Sequence, residues 1–133
     1  VAKGIINIID SEVVIKNDDK LNLPLGLRGS SQVIPFGDNG DRICVTHETH
    51  FFWHQNKKKD AHYYHRFVIW DKDWKVKKVS EQFKFMDAMI EFACGLIIKD
   101  DNFIISYGYQ DNAAYALKMP IKLLDELKWD VYE

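Results

Sequence analysis

A chain of 133 residues is long enough for one domain with a real hydrophobic core. Hydrophobic residues make up 47% and aromatic residues 14% of the sequence, which excludes an intrinsically disordered chain. The formal net charge of −2 gives no general reason to expect binding to nucleic acid or to a membrane surface. No apolar run approaches the roughly 20 residues of a membrane-spanning helix. We therefore expect a globular protein.

The N-terminal region reads as a hairpin followed by a connector. Residues 4–9 and 12–16 are short runs rich in β-branched residues, separated by a polar pair. Residues 17–26 contain Pro24 and Gly26, which argue against regular structure. Val1 is not followed by the long apolar stretch of a signal peptide, so we expect a cytoplasmic location. Because the sequence begins with Val1 and not with methionine, we also expect a processed or excised piece of a longer protein.

The middle of the chain predicts two further hairpins joined by a long polar and aromatic loop. The apolar runs and the turns between them alternate in the way that antiparallel strands require. The predicted strands are 31–36, 43–47, 63–70 and 74–79, and the predicted loop is 48–61.

Residues 89–119 predict an antiparallel meander of three strands. The apolar runs 92–98, 103–107 and 113–117 are separated by Asp/Asn turns. Glu91 stands at the start of the first strand, and Asp111 follows the second, where a meander does not need a charge. After the meander, Pro120 can begin a short helix that ends near Trp129.

The two cysteines, Cys44 and Cys94, lie inside strand-like runs. Cysteine in this setting is usually a small buried hydrophobe, and two such residues do not form a disulfide framework. We therefore predict that both are buried.

The meander resembles the closing blade of five-bladed β-propeller carbohydrate enzymes. The similar segment runs from Gly95-Leu96 through an Asp/Asn turn to Ile105-Ser106-Tyr107-Gly108 and Asp111. The resemblance is greatest to glycoside phosphorylases of the mannoside-phosphorylase type and to propeller modules found with glycosyltransferases. Upstream segments extend it over most of residues 27–118, namely 27–31, 45–48 and 64–68.

The resemblance implies an all-β fold of antiparallel four-stranded blades with a short C-terminal helix. At roughly 40–50 residues per blade, this chain holds between two and three blades, so it implies a partial propeller. The expected division is 1–20 as outer strands of one blade, 27–80 as a blade, 89–119 as the closing blade and 120–129 as helix. The uncovered strand edges would then be covered by the remaining blades of a longer chain or by other copies of this chain.

All five histidines lie between His47 and His65. Clustered imidazoles raise a zinc hypothesis, but the HExxH order is absent and the surrounding sequence is β-prone. We predict no metal site and interpret most of these residues as loop histidines.

Two segments and Arg28 carry the candidate substrate-binding residues. If His47-Glu48 ends one strand and Tyr64-His65-Arg66 begins the next, antiparallel pairing brings them to one end of the sheet. Arginine suits bidentate capture of phosphate or carboxylate, and Arg28 could join from the strand that it opens. The resemblance implies that this end faces the central cavity. The alternative is a structural Glu48–Arg66 ion pair with His65 as a buried, hydrogen-bonding residue.

The candidate catalytic residues are Asp111 and Glu91, with Tyr107 beside them as a binding residue. Glycoside chemistry uses two carboxyl groups, one of which phosphorylases replace with phosphate. The resemblance implies that Asp111 is a substrate-binding carboxylate, and the family's general acid has no counterpart here. Asp111 is alternatively a turn residue that caps a hairpin.

These observations predict part of a carbohydrate-active propeller that acts on or binds a glycan by glycosyl transfer, phosphorolysis or hydrolysis. The alternative is a non-catalytic glycan-binding or scaffolding module attached to a glycosyltransferase, and a plain β-sandwich without a site also stays open. No cofactor is predicted, and inorganic phosphate is the one co-substrate that the resemblance allows. The expected partners are a glycan and further blades, without nucleic acid or membrane.

Overall fold

The computed structural model describes residues 3–16 and 26–132, with side-chain environments for 6–14 and 26–132. The predicted all-β fold is confirmed: the described residues form antiparallel strands and one short 3-10 helix. The strands are β1 (Lys3–Asn7), β2 (Glu12–Lys16), β3 (Arg28–Gly29), β4 (Ile34–Pro35), β5 (Arg42–Trp53), β6 (Lys59–Trp70), β7 (Val76–Ser80), β8 (Glu91–Lys99), β9 (Asn102–Tyr109), β10 (Ala113–Pro120) and β11 (Trp129–Val131). Within these residues no helix combines the length and the apolar character needed to cross a membrane.

The strands form two meanders and a separate hairpin. The larger sheet has the order β11-β7-β6-β5-β3, and β4 also pairs with β5. The smaller sheet is β10-β9-β8, as the sequence predicted for residues 89–119. The predicted N-terminal hairpin is also present, because β1 pairs with β2. Most of the connector 17–26 lies outside the described residues.

The two larger sheets pack face to face over one hydrophobic core. Alternate residues of β5 and β6, including Ile43 and Phe67, meet Leu96, Phe103 and Ile105 of the smaller sheet. Only alternate residues face the core because successive side chains of a strand point to opposite faces of the sheet. The opposite face of the larger sheet carries a second cluster that includes Val68, Trp70 and Val79.

Side chains from the β3–β4 segment bind the free edge of β8. Ser30 Oγ donates to the Ala93 carbonyl oxygen. Gln32 Nε2 donates to the Leu96 carbonyl oxygen at 2.6 Å, and Leu96 N–H donates to Gln32 Oε1 at 3.2 Å. The amide of Gln32 therefore satisfies both backbone groups of Leu96, as a neighbouring strand would.

The structure corrects two predicted elements, the loop over 48–61 and the C-terminal helix. The loop predicted for 48–61 is wrong, because β5 continues to Trp53 and β6 begins at Lys59, with all twelve pairs from Arg42 to Trp53 in register. The C-terminal helix is a 3-10 helix over Ile121–Glu126 that buries Leu124. Trp129 is not part of it, because it begins β11, which pairs with β7.

The cysteine prediction is confirmed for Cys44, which is buried, and wrong for Cys94, which is exposed. The register of β8 shifts between Ala93 and Gly95, so Cys94 lies in a bulge. A Cβ at Gly95 would lie 2.5 Å from Ser106 Oγ, so a larger residue there would require the Ser106 hydroxyl to rotate away.

Candidate functional site

The strand register divides the predicted site residues between two faces of the larger sheet. His47 pairs with both Arg28 and His65, whereas Glu48 pairs with Tyr64 and Arg66 pairs with Thr46. Directly paired residues share a face, and neighbours along a strand do not. The imidazole pair therefore lies on the core face, and the Glu48–Arg66 pair lies on the opposite face. The prediction that all four groups meet in one place is wrong, because it assumed that His47-Glu48 ends a strand.

On the core face, His65 is completely buried between aromatic rings. Its ring centroid lies 5.9 Å from that of Phe83 and 4.3 Å from that of Phe85. Neither ring nitrogen has a hydrogen-bond partner among the described residues. Burial lowers the pKa of His65 from 6.5 to about 4, although the nearby Glu91 carboxylate partly opposes the shift. The ring is therefore neutral near pH 7.

Glu91 is also completely buried, and its carboxylate holds the segment that leads into β8. It accepts hydrogen bonds from the backbone N–H groups of Phe85 at 2.6 Å, Met86 at 2.9 Å and Ala88 at 2.9 Å. Three donors on one carboxylate fix a tight turn around it. This geometry gives Glu91 a structural role. Its carboxylate has no access to solvent, so the structure does not support the predicted catalytic role.

His47 and Arg28 lie where the larger sheet meets the start of β8. The His47 ring stacks on Tyr63 at 5.6 Å and meets the Phe92 ring edge-on at 4.8 Å. Burial lowers the pKa of His47, and the neighbouring Arg28 guanidinium lowers it further. Arg28 itself is exposed, so it is the accessible member of this pair.

Tyr107 and Asp111 are close in sequence but differ in environment. Tyr107 is buried, with its ring 4.6 Å from that of Phe85. Burial raises the pKa of the Tyr107 hydroxyl, and the negative charge of the Glu91 carboxylate raises it further. Asp111 is exposed in the β9–β10 turn with a φ of 52°, beside Gln110 with a φ of 55°. Short polar residues tolerate this left-handed backbone, as the alternative turn role of Asp111 requires.

The opposite face carries a polar cluster that remains open to solvent at its rim. We call Glu48, His50, Tyr64, Arg66 and Gln82 the Glu48 cluster. Arg66 Nε donates to Glu48 Oε1 at 3.2 Å, and Gln82 Nε2 donates to the same oxygen. The Gln82 amide nitrogen also lies 3.2 Å from Nε2 of the exposed His50, whose ring is 5.0 Å from that of Tyr64.

The ion pair at the base of the Glu48 cluster is held rigidly. Arg66 Nη1 also donates to the Ser80 carbonyl oxygen at 2.8 Å, and the Glu48 side chain is only 7% exposed. Both donors to Glu48 bind Oε1, and within the described residues no donor pairs with Oε2. The carboxylate is therefore oriented while one of its oxygens keeps acceptor capacity.

A row of aromatic and imidazole rings extends the cluster toward the β5–β6 turn. We call this row the ring ladder: His50, Phe52, His54, His62 and Tyr64. His62 stacks on Phe52 at 4.9 Å with an interplanar angle of 21°, and it lies 6.4 Å from Tyr64. Phe52 in turn meets His54 edge-on at 5.0 Å.

Sequence reasoning missed four residues on this face: His50, Phe52, His62 and Gln82. A signal was present for two of them, because ring residues occupy every position from 50 to 54, so that in a strand His50 and Phe52 share one face and Phe51 and Trp53 the other. Period-two alternation indicates one face of a strand. No signal in the sequence pointed to Gln82, which reaches the cluster from the segment after β7.

The histidines do not form a metal-binding constellation in the described part of the chain. No group of three or more histidine, cysteine, aspartate or glutamate side chains there could hold a metal ion. His54 Nε2 instead lies 3.3 Å from Asp60 Oδ2, and His50 Nε2 lies 3.7 Å from Glu48 Oε1.

Comparisons with protein-family models, with curated proteins and with solved structures found no match for this chain.

Proposed function

We propose that this chain is part of a glycan-binding β-propeller and that the Glu48 cluster contacts the sugar. The observation that carries the proposal is the grouping of an oriented carboxylate, a guanidinium, an amide and an imidazole beside the Tyr64 ring. Sugar hydroxyls need both donors and acceptors, and the apolar face of a pyranose ring packs on aromatic rings. A few convergent polar groups beside an aromatic surface are typical of small-molecule sites.

The arrangement of the sheets supports the propeller part of the proposal. Residues 27–80 form successive antiparallel strands, and residues 89–119 form the next meander, packed face to face against the first. Ser30 and Gln32 lie beside β8, as the innermost strands of neighbouring blades would. Under this proposal the remaining blades come from a longer chain or from other copies, in the cytoplasm.

Binding is favoured over cleavage by the number of available carboxylates. Glycoside hydrolysis uses two carboxyl groups separated by roughly 5–9.5 Å. Among the described residues, Glu48 is the one carboxylate hydrogen-bonded within the cluster, while Glu91 is buried and occupied by three N–H groups. The non-catalytic module of a glycosyltransferase-associated propeller is therefore our preferred form of the proposal.

Phosphorolysis is a second candidate, favoured by one observation. Arg28 is exposed next to His47 at the edge of the larger sheet, where an anion could be held. Phosphate would then be a co-substrate, and Asp111 would keep its proposed role in sugar binding. Phosphate release or consumption in the presence of glycans distinguishes this candidate from binding alone.

The test is glycan binding by the full chain on an array of mono- and oligosaccharides. The Tyr64→Ala variant should bind about five- to tenfold more weakly, because a stacking ring contributes on the order of 1 kcal/mol. His50→Ala should also weaken binding, since His50 is an exposed member of the cluster. Phe51→Ala is the matched control, because Phe51 is an exposed ring on the opposite face of the same strand. If the folded wild-type chain binds no glycan on the array, the proposal is wrong.

A further inference from the structure

The ring ladder and the turn beyond it form one continuous surface with the Glu48 cluster. The six steps from Glu48 to His54 cover about 20 Å at the rise of an extended strand. Tyr64, His62, Phe52 and His54 follow one another along this length, with neighbouring ring centroids 4.9 to 6.4 Å apart. A single sugar ring covers only a small part of such a surface, whereas a chain of several rings can follow it.

The far end of this surface is basic. The turn contains Lys57 and Lys58, and Lys58 lines an open depression of about 540 Å³ together with His54, Gln55 and Asn56. The carboxylate nearest to it, Asp60, accepts hydrogen bonds from the Ala61 N–H at 2.9 Å and bonds to His54 at 3.3 Å. These bonds hold the Asp60 carboxylate toward Ala61 and His54 and lower its pKa, and the nearby Lys58 lowers it further. Among the described residues neither Lys57 nor Lys58 forms an ion pair within 4 Å, so both ammonium groups remain available to an anionic ligand.

A third lysine of the run is directed elsewhere. The Lys59 ammonium lies 3.7 Å from the ring centroid of Phe51, and both residues lie on the opposite face of the hairpin from the ladder. Lys58, beside the ladder, and Lys59, on the opposite face of the hairpin, are therefore a matched pair of positive charges for comparison.

We infer that the ligand is an acidic oligosaccharide of several sugar units, which lies along the ring ladder with its anionic groups at Lys57 and Lys58. This inference rests on the proposed glycan-binding function and names the class of glycan. The rings can stack on successive sugar units of the glycan whatever their identity. The lysines supply positive charge without the fixed geometry that a single small anion would require. Carboxylate, sulfate and phosphate substituents share this chemistry, and the array distinguishes them.

A glycan is favoured over single-stranded nucleic acid, which also combines rings and negative charge. Nucleic-acid grooves track every phosphate with basic side chains. Here the middle of the ladder is flanked by Glu48 and Asp60, and the chain as a whole has a formal net charge of −2. Charge contacts at one end and hydrogen-bonding groups at the other match a polymer that is only partly anionic.

The experiment measures binding of the full chain to neutral and acidic glycans of one to six units, in 50 and 300 mM salt. We expect acidic oligomers of three or more units to bind at least tenfold more tightly than neutral oligomers of equal length, and the difference to shrink at high salt. Lys57→Gln with Lys58→Gln should remove this preference, whereas Lys59→Gln should keep it. Phe52→Ala should remove the increase in affinity with glycan length. Trp53→Ala should keep that increase, because Trp53 is an exposed ring on the other face of the strand.

The outcomes separate this inference from the function on which it rests. Equal binding of neutral and acidic glycans, with no effect of the lysine double variant, overturns the inference and leaves the glycan-binding proposal standing. Tighter binding of a single-stranded oligonucleotide than of any glycan also overturns it. Absence of all glycan binding by a chain whose melting transition is intact overturns both. Circular dichroism of each variant ensures that lost binding is not lost folding.

Discussion

His65 illustrates how one buried titratable ring makes stability depend on pH. Its pKa is 6.5 in an unfolded chain and about 4 in the folded protein, so between these values the unfolded state binds the additional proton. The free energy of unfolding should therefore fall as the pH decreases from 6.5 to 4, by about 3 kcal/mol from this residue. More than about one pH unit above 6.5, the ring is neutral in both states and contributes no slope.

Replacing His65 with Phe should remove this part of the pH dependence. Phenylalanine can pack between Phe83 and Phe85 without leaving two ring nitrogens unpartnered. Urea unfolding at pH 7, 5.5 and 4.5 measures the change, and the variant should lose less stability than the wild type on acidification. Identical slopes for the two proteins would show that His65 does not carry the effect.

Glu91 gives a second prediction at the residue scale. Glu91→Ala leaves the N–H groups of Phe85, Met86 and Ala88 without their acceptor, and each costs about 1–3 kcal/mol when buried. The variant should therefore unfold at much lower urea concentration or fail to fold. Glu91→Gln retains one acceptor oxygen and should be intermediate in stability, and under the proposed function it should bind glycans as the wild type does below its melting temperature. Lost binding by a folded Gln variant would instead support a direct role in the site.

At the scale of elements, the contact between the β3–β4 segment and β8 depends on side chains. Gln32→Ala removes both hydrogen bonds to Leu96, and we expect a loss of about 1–2 kcal/mol in unfolding free energy. Hydrogen exchange of the Leu96 amide should accelerate by a larger factor than that of Ile105, which lies inside the same sheet. The control is Gln55→Ala in the exposed β5–β6 turn, which should leave both the stability and the exchange rates unchanged.

The elements also show what the sequence could and could not reveal. Strands rich in β-branched residues, such as residues 103–107, were predicted because their composition indicates burial directly. Residues 48–61 were predicted as a loop because polar and aromatic residues replace aliphatic ones there. Because the strand was predicted to end at His47, Glu48 was assigned to the loop, and the two side chains were expected to lie together. In the structure both lie inside β5, where successive side chains point to opposite faces. The structural role of Glu91 could not be predicted, because it depends on the backbone path of residues 85–88.

At the scale of the whole molecule, one face of the smaller sheet remains apolar and open. Ile97 is 51% exposed, and its cross-strand neighbour Ile104 lies on the same face. A propeller would cover this face with another blade, so the chain by itself should associate as its concentration rises. Sedimentation velocity should show this, and Ile97→Lys should reduce it, whereas Val131→Lys at an exposed position of β11 should not. A monomer at all concentrations would indicate that the face needs no partner.

The Ser30 and Gln32 contacts also bear on the order of folding. Apart from the β11–β7 pair, each sheet is built from contacts between neighbouring segments of the chain, whereas these side chains reach across 63 and 64 residues to β8. Closing a loop of that length has an entropic cost that local hairpins avoid. Each sheet should therefore acquire its hydrogen bonds first, and docking of the two sheets should follow as a slower step. In pulse-labelling exchange, the amide of Leu96 would then be protected later than that of Ile105, although both belong to the same pair of strands.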